Sequence, residues 1–324
     1  LWYHFCTTFV IIIDTPLIFS REATERTTYP FGYPQFNRLL FYIPLLKNGF
    51  SFEEQVMIVF VHQPEYVPWL GFFDKLARCG TYVIYDDAQY QHGGFHNRNR
   101  IRTPKGWEWL TVPIIHGHPQ TIKDVRIAGD EWKNRQLNRI AQLYEKTPYF
   151  KKYYPLIRDA ITFNHEFLIG LDLHLIKAIA ELLDIDAKMV RSSEFSYSGK
   201  EKNEKLISMC TLLGADTYLC GSGGKCYVDE TLFTQAKINV QWHSYQHPIY
   251  RQRFEGFEPY MSIIDLLFNE GPDAKKILLR GGSVEQSKPR GNGALKPLIV
   301  QQPETASLAA LELNNLSVWY AFDF

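Results

Sequence analysis

Arg98 and Arg100, in HGGFHNRNR (92–100), lie two residues apart and share a face wherever the chain is extended. A guanidinium grips phosphate or carboxylate through paired hydrogen bonds, so the pair reads as an anion clamp. Asn97 and Asn99 fall on the opposite face and offer amide donors and acceptors. The alternative is a solvated loop whose arginines pair with Asp86 and Asp87. Those carboxylates end the run TYVIYDD (81–87), with Gln89 close behind. Adjacent carboxylates can bind magnesium or act as acid and base, although neighbouring strand residues point to opposite faces. His92 and His96 have metal-compatible spacing only on a helix, which Gly93 and Gly94 disfavour, so no metal site is expected.

Three further segments carry chemistry. In HQPEYVPWLGFFDK (62–75), Pro64 and Pro68 stiffen a loop that presents Gln63, Tyr66 and Trp69, and Gly71 opens a helix whose amides can face an anion. The plainer reading is a rigid turn with a packed tryptophan. In YLCGSGGKCYVDE (218–230), the amides of Gly221, Ser222 and the glycines after them can form an anion-binding concavity, with Lys225 adding charge. It is not a Walker A sequence: Leu219 stands at the first glycine and Cys226 at the Ser/Thr position. A tight connecting turn is the alternative. In WHSYQHPIYRQRF (242–254), His243 and His247 can line one loop face; His247, Tyr250 and Gln252 are the candidates, with His247 as proton shuttle. HGH (116–118) reads as a turn. Cys220 and Cys226 lack an assignable base.

These residues need elements to hold them. MIVFVH (57–62) reads as a central strand, Leu70–Cys79 as a helix ending at Gly80, and 81–87 as a second strand. Strand, loop, helix and strand within so short a stretch make a βαβ unit with parallel strands. The polar loop AQYQHGGFHNRNR precedes a hairpin of Ile101–Thr103 and Trp107–Pro113. Residues 130–183 are helical by spacing; 189–190 form a short strand; Lys202–Leu213 is a helix, Asp216–Cys220 a strand, 227–236 a helix and Ile238–Trp242 a strand. Ser262 heads a last helix, with Asp265 completing a capping pattern. The fold class that follows is α/β: a mainly parallel, Rossmann-like sheet with helices on both faces, plus a helical segment.

Composition bounds the rest. The chain has 324 residues, 45% hydrophobic and 22% charged, which excludes a mostly disordered protein. Lys and Arg number 35, as do Asp and Glu, so no dominant attraction to nucleic acid or anionic membrane is indicated. Five scattered cysteines without a C-x-x-C pair favour a reducing cytoplasm. FCTTFVIII (5–13) is broken by Asp14 and Pro16 well short of a membrane span, so no membrane insertion is expected. The chain starts at Leu1, and the ordered pattern begins at Met57. The expected division is therefore a 1–56 appendage with Met57 as the natural start, an α/β domain over 57–282, and a linker and tail over 283–324.

HQPEYVPWLGFFDKL, YDDAQY, NRNRIRTPKGWEWLTVP, TPYFKKYYP, RSSE, CGSGGKCYVDE, HPIYRQRF and SIIDLLFNEGP, in that order, resemble the WbqC family over about residues 57–280. The resemblance implies a bacterial protein encoded among genes for O-antigen and other surface polysaccharides, modifying sugar building blocks by group transfer. Family motif positions map onto Gln63, Tyr66, Pro68, Trp69, Asp86, Asp87, Gln89, Asn97, Arg98, Asn99 and Arg100. They map further onto Ser192, Ser193, Gly221, Ser222, Tyr227, His247, Tyr250 and Gln252. The glycine loop departs from the family, which often has Gly-Pro where this chain has Gly221-Ser222.

The reading that follows is a cytoplasmic group-transfer enzyme acting on a phosphate-bearing small molecule such as a nucleotide sugar. Arg98, Arg100 and loop 221–225 hold phosphate, Gln63, Tyr66 and Trp69 orient the ligand, and His247, Asp86 or Asp87 moves the proton. Whether the group is acyl, aminoacyl or glycosyl does not follow, and no cofactor is named. Two alternatives stand beside it: a non-catalytic scaffold of a polysaccharide assembly complex, and a nucleotidyltransferase-like enzyme. All require loop 62–69, the two arginines, loop 221–225 and His247 to share one cleft.

Overall fold

A computed structural model describes residues 56–286, except His116 and His118. The appendage expected over 1–56, apart from Val56, the tail expected beyond 286, and two residues of the HGH turn lie outside the described residues. The elements are β1 (Ile58–His62), α1 (Leu70–Arg78), β2 (Thr81–Ile84), β3 (Arg98–Thr103), β4 (Gly106–Thr111), α2 (Glu131–Tyr144), α3 (Phe150–Thr162) and α4 (Leu168–Leu182). There follow β5 (Lys188–Arg191), α5 (Lys202–Leu212), β6 (Thr217–Gly221), α6 (Glu230–Gln235), β7 (Asn239–Tyr245), α7 (Ile263–Glu270), α8 (Ala274–Gly281) and β8 (Gly282–Gln286).

Six strands form one sheet in the order β5-β2-β1-β6-β7-β8, parallel throughout except for β8, which runs antiparallel to β7. β1 is buried on both faces, as its run of apolar residues requires. Phe60, Tyr82 and Leu219 pack on one face, beneath α1, α4, α7 and α8. Val59, Val61, Val83, Cys220 and Trp242 pack on the other, with α5 and α6. Winding reverses between β1 and β6: the helix after β1 covers the first face and the helix after β6 covers the second. In such sheets the crevice outside the strand ends at the reversal is where ligands collect.

Three expectations change. The helical stretch 130–183 is three helices, α2 to α4. Arg98–Arg100 belong to strand β3 rather than to the loop before it, and the end of the second strand moves back to Ile84. Residues 283–286 are strand β8, not linker. A Cβ on Gly282 would lie 1.7 Å from Asp74 Oδ2, so glycine there permits close approach.

The hairpin of β3 and β4 is tied down by a buried carboxylate. Asp265 on α7 accepts from the hydroxyls of Tyr144 (2.9 Å) and Tyr250 (2.7 Å) and from Gln252 Nε2 (3.0 Å), while Tyr144 Oη accepts from the backbone N–H of Arg102 (2.9 Å). Asp265 thus serves this network instead of completing a capping box, and Ser262 Oγ accepts from the Ile264 amide alone. Burial raises the Asp265 carboxyl against the pull of its three donors. Asp265→Ala removes the acceptor of two buried tyrosine hydroxyls and of a Gln252 N–H and should cost about 2–4 kcal/mol in urea unfolding; a loss below about 0.5 kcal/mol, the level of an ordinary surface change, would remove this network from the account.

Candidate functional site

At the carboxyl edge of the sheet three residues stand in a row across three strands. Gly221 pairs in register with His243. Phe60 pairs with Leu219, so two residues further on His62 comes level with Gly221. All three have the parity of the α1-covered face. Gly221 has no side chain, so the two imidazoles stand on either side of a glycine at the winding reversal.

α1 supplies the charges. Its inner side carries Asp74 and Lys75 beside Phe73 and Leu76, all buried. Asp74 Oδ2 receives His243 Nε2 at 2.7 Å and Arg78 Nε at 2.6 Å, and Arg78 Nη2 donates to the Gly282 carbonyl at 2.9 Å. A carboxylate only accepts, so Nε2 bears the proton and Nδ1 keeps its lone pair, with no protein partner among the described residues. Burial lowers the His243 pKa, opposed by Asp74 and assisted by the charge of Lys75. Near neutral pH the ring is therefore an uncharged base held in one tautomer.

Lys75 lies with its ammonium 5.1 Å from the Phe60 ring centre, and no carboxylate pairs with it among the described residues. His62 donates from Nδ1 to the Gln63 carbonyl (2.7 Å) and stacks on Phe60 at 5.4 Å. Burial, and then the Lys75 charge, lowers its pKa to about 3. A lysine charge thus acts on two neutral imidazoles at once. Beyond β6, Ser222–Cys226 form a 3₁₀ turn.

The loop after β1 is held from outside. Val67 is buried with φ of 37°, a strained value for a β-branched residue. Ser262 Oγ donates to the Val67 carbonyl (2.7 Å), Asn99 Nδ2 to the Tyr66 carbonyl (3.2 Å), and the Tyr66 amide to Phe95 (3.0 Å). Asn97 takes the Tyr90 hydroxyl at 3.0 Å and donates to Val112. The asparagine face of β3 is therefore structural. So is the Tyr66 hydroxyl, which donates to Gln136 (2.7 Å).

Several expected site residues are placed elsewhere. Asp86 is fully buried and receives Arg191 Nε (2.6 Å), the Ser193 amide (3.1 Å) and the hydroxyls of Ser192 and Ser193; Asp87 receives Ser192 and the Tyr197 hydroxyl. This cluster clamps the ends of β2 and β5 together, so neither carboxylate pairs with the arginines of β3 in the way a solvated loop would require. Arg98 donates to the Gly93 and Gly94 carbonyls and lies 4.3 Å over Trp109, and Arg100 lies 4.3 Å over Trp107, so both are part of a stacked ladder on the hairpin. Lys225 is 5.7 Å from Trp242, on the opposite face of the sheet from His243, and Tyr227 is covered by Lys202 at 4.1 Å. Tyr250 and Gln252 serve Asp265. Gln89 forms a backbone bridge with Thr121.

His247 sits in an aromatic cluster, 5.7 Å from both Phe257 and Tyr260. Burial lowers its pKa to about 4, and among the described residues no carboxylate orients it. Trp69 joins the same cluster through Tyr245 (5.3 Å) and Tyr260 (5.9 Å), while its indole covers Gly71, where a Cβ would be 2.3 Å away. That indole occupies the place where an anion would meet the α1 amides. Cys220 packs on the α5–α6 face. Of the four segments expected in one cleft, loop 62–69 and the start of 221–225 meet at the row, and His247 shares the rings of Tyr245 and Tyr260 with Trp69.

The residues that sequence reasoning passed over are Asp74 and Lys75, with His62 and His243 noticed but not chosen. A signal was present: Asp74 is four residues after Leu70, on the stripe that Phe73 and Ala77 mark as inward. Among the described residues no group of three or more His, Cys, Asp or Glu side chains is placed to hold a metal ion, and no helix is long and apolar enough to cross a membrane.

The sequence pattern of the WbqC-like protein family matches residues 63–277. An uncharacterized protein of Mycobacterium tuberculosis is 34% identical over 224 residues, covering 68% of this chain and 96% of that protein. No solved structure matches significantly.

Asp86→Ala leaves Arg191 and the amide and hydroxyl of Ser193 without their acceptor and should lower stability by about 2–3 kcal/mol. Chemical denaturation reads this directly, and an unchanged midpoint would return Asp86 to the list of expendable, and so functional, carboxylates.

Proposed function

The chain belongs to the WbqC-like protein family, and on that premise we propose that it is a group-transfer enzyme acting on a phosphate-bearing small molecule, such as a nucleotide sugar, in the making of bacterial surface polysaccharide precursors. The observation that carries this reading is Lys75: a buried lysine without a carboxylate partner among the described residues, beside an Asp74–His243 pair at the winding reversal. The stem of Lys75 is buried while its ammonium is not sealed from solvent, so the charge is available to an arriving anion. The amides at the start of the 222–226 turn lie beyond Gly221 and add partial positive charge there.

In this scheme the phosphate lies over Gly221, neutralised by Lys75. His243 takes a proton from the acceptor nucleophile at Nδ1. Asp74 holds the ring in its Nε2–H tautomer and stabilises the imidazolium that forms. His62, neutral and stacked on Phe60, walls the other side. The proton movers expected earlier, His247, Asp86 and Asp87, are replaced in this role by His243, which has both an orienting carboxylate and a ring nitrogen without a protein partner among the described residues.

Titration calorimetry with UDP-glucose and with inorganic pyrophosphate, alongside a mass-spectrometric screen of acyl, aminoacyl and glycosyl donors, tests the reading. Lys75→Met should weaken binding at least about tenfold. Turnover should rise with pH through a value below the ordinary histidine range and then level off, because the base works only when unprotonated; His243→Gln should remove that rise. Binding without conversion under every donor would return the scaffold reading, and phosphate binding indifferent to Lys75 would refute the site.

A further inference from the structure

Where α3 gives way to α4, three electron-rich atoms meet that the scheme above does not use. His165 Nε2 lies 3.3 Å from His174 Nδ1 and 3.2 Å from the carbonyl oxygen of Ala160. The two imidazoles cross at 67° with centres 5.3 Å apart, and both are half-buried, so an ion can arrive from solvent. The ring of Phe163 stands against both, at 4.8 and 5.6 Å. The local chain builds this meeting from three sides. Ala160 is in the last turn of α3, where carbonyls have no partner within the helix and the helix end carries partial negative charge. His165 belongs to the loop between the helices, and His174 to α4, one turn after Gly170. A Cβ on Gly170 would crowd His165 Nδ1 at 3.2 Å, so a residue that is unfavourable inside a helix makes room for the ring. Lys133, which donates to the Phe163 carbonyl (3.3 Å), has its charge met by Asp130 at 2.6 Å.

Hydrogen bonding alone does not satisfy the three atoms. The carbonyl only accepts, and each nitrogen of a neutral imidazole either donates or accepts. If His165 Nε2 bears its proton, Ala160 and His174 compete for it. If His174 Nδ1 donates to His165, the carbonyl faces a lone pair. One proton thus serves three lone-pair atoms, whereas a metal cation serves all three at once. A tetrahedral ion with bonds of about 2.0–2.1 Å to nitrogen sets its ligand atoms about 3.3–3.4 Å apart. Both distances agree with that edge within about 0.2 Å, the tolerance of a metal site. Imidazole ligands select zinc, copper or nickel; calcium and magnesium ask for oxygen ligands throughout.

We propose that His165, His174 and the Ala160 carbonyl form a binding site for a divalent transition-metal ion, zinc by its geometry, with a fourth position open to water or a ligand. No third metal-ligating side chain joins the pair among the described residues; the third ligand is backbone. On binding, His165 carries its proton on Nδ1 and turns the Nε2 lone pair to the ion. The ion ties the end of α3 to α4 across loop 163–167. The site stands independently of the phosphate reading, since Lys75, His62 and His243 take no part in it.

Zinc chloride titrated by calorimetry into the EDTA-stripped full chain is the probe, with cobalt(II) in parallel because its visible absorption reports coordination geometry. The wild type should bind one zinc equivalent that His165→Gln and His174→Gln each weaken at least about tenfold. The intense visible band of four-coordinate cobalt should disappear in both. Zinc should raise the unfolding midpoint of the wild type and of neither variant, while both variants, altered at half-buried positions, should match the wild type in EDTA. His92→Gln, at an exposed histidine, and the joint change His116→Gln with His118→Gln should leave the equivalent intact, as should Lys75→Met. Zinc binding undiminished in His165→Gln or His174→Gln, cobalt bound with only the faint spectrum of a six-coordinate ion, or an equivalent lost with His116 and His118 would each overturn the proposal.

Discussion

The buried carboxylate of Asp74 is the constraint around which the sheet's carboxyl edge is assembled. A charge with no access to water must be met by donors of fixed geometry. Arg78 meets it from the next turn of the same helix, and His243 meets it from β7. Arg78 in turn holds the first carbonyl of β8, and Gly282 lets that strand approach. One carboxylate therefore fixes α1 against two strands, chooses the tautomer of an imidazole and sets Lys75, its neighbour in sequence, at the head of β1. A purely structural ion pair would explain Arg78. It would not explain a histidine whose second nitrogen has no protein partner among the described residues, beside a lysine that no carboxylate among them pairs with.

The hairpin of β3 and β4 is a brace for the loop after β1. Its asparagine face binds that loop and its tryptophan face absorbs the arginines. Asp265 anchors the hairpin from the other side through Tyr144. Loop 63–69 is thereby held in a conformation that includes the strained Val67, which its own sequence would not keep. Rigidity supplied this way costs a ligand little ordering entropy on binding, the condition for a site that positions reactive groups.

The order of elements was legible because β1, α1 and β2 each carry an unambiguous period and are punctuated by Pro68 and Gly80. Alternation also placed Arg98 and Arg100 opposite Asn97 and Asn99 correctly. What could not be read was which polar groups would find partners. Asp86 and Asp87 look catalytic in a linear sequence, because Arg191, Ser192 and Tyr197, more than a hundred residues away, become their neighbours only through the pairing of β2 with β5. Tyr250 and Gln252 likewise meet their partner, Asp265, only in the folded chain. Asp74 and Lys75 were hidden differently: a charged pair on a helix ordinarily faces solvent, and only the tertiary packing of α1 turns it inward.

The most direct measurement is the nitrogen-15 chemical shifts of the His243 imidazole, followed by titration in the full chain and in Lys75→Met. The account predicts a neutral ring protonated at Nε2 near neutral pH, titrating below the ordinary histidine range, with its pKa moving upward once the lysine charge is removed. A ring protonated at Nδ1, or a titration indifferent to Lys75, would contradict it.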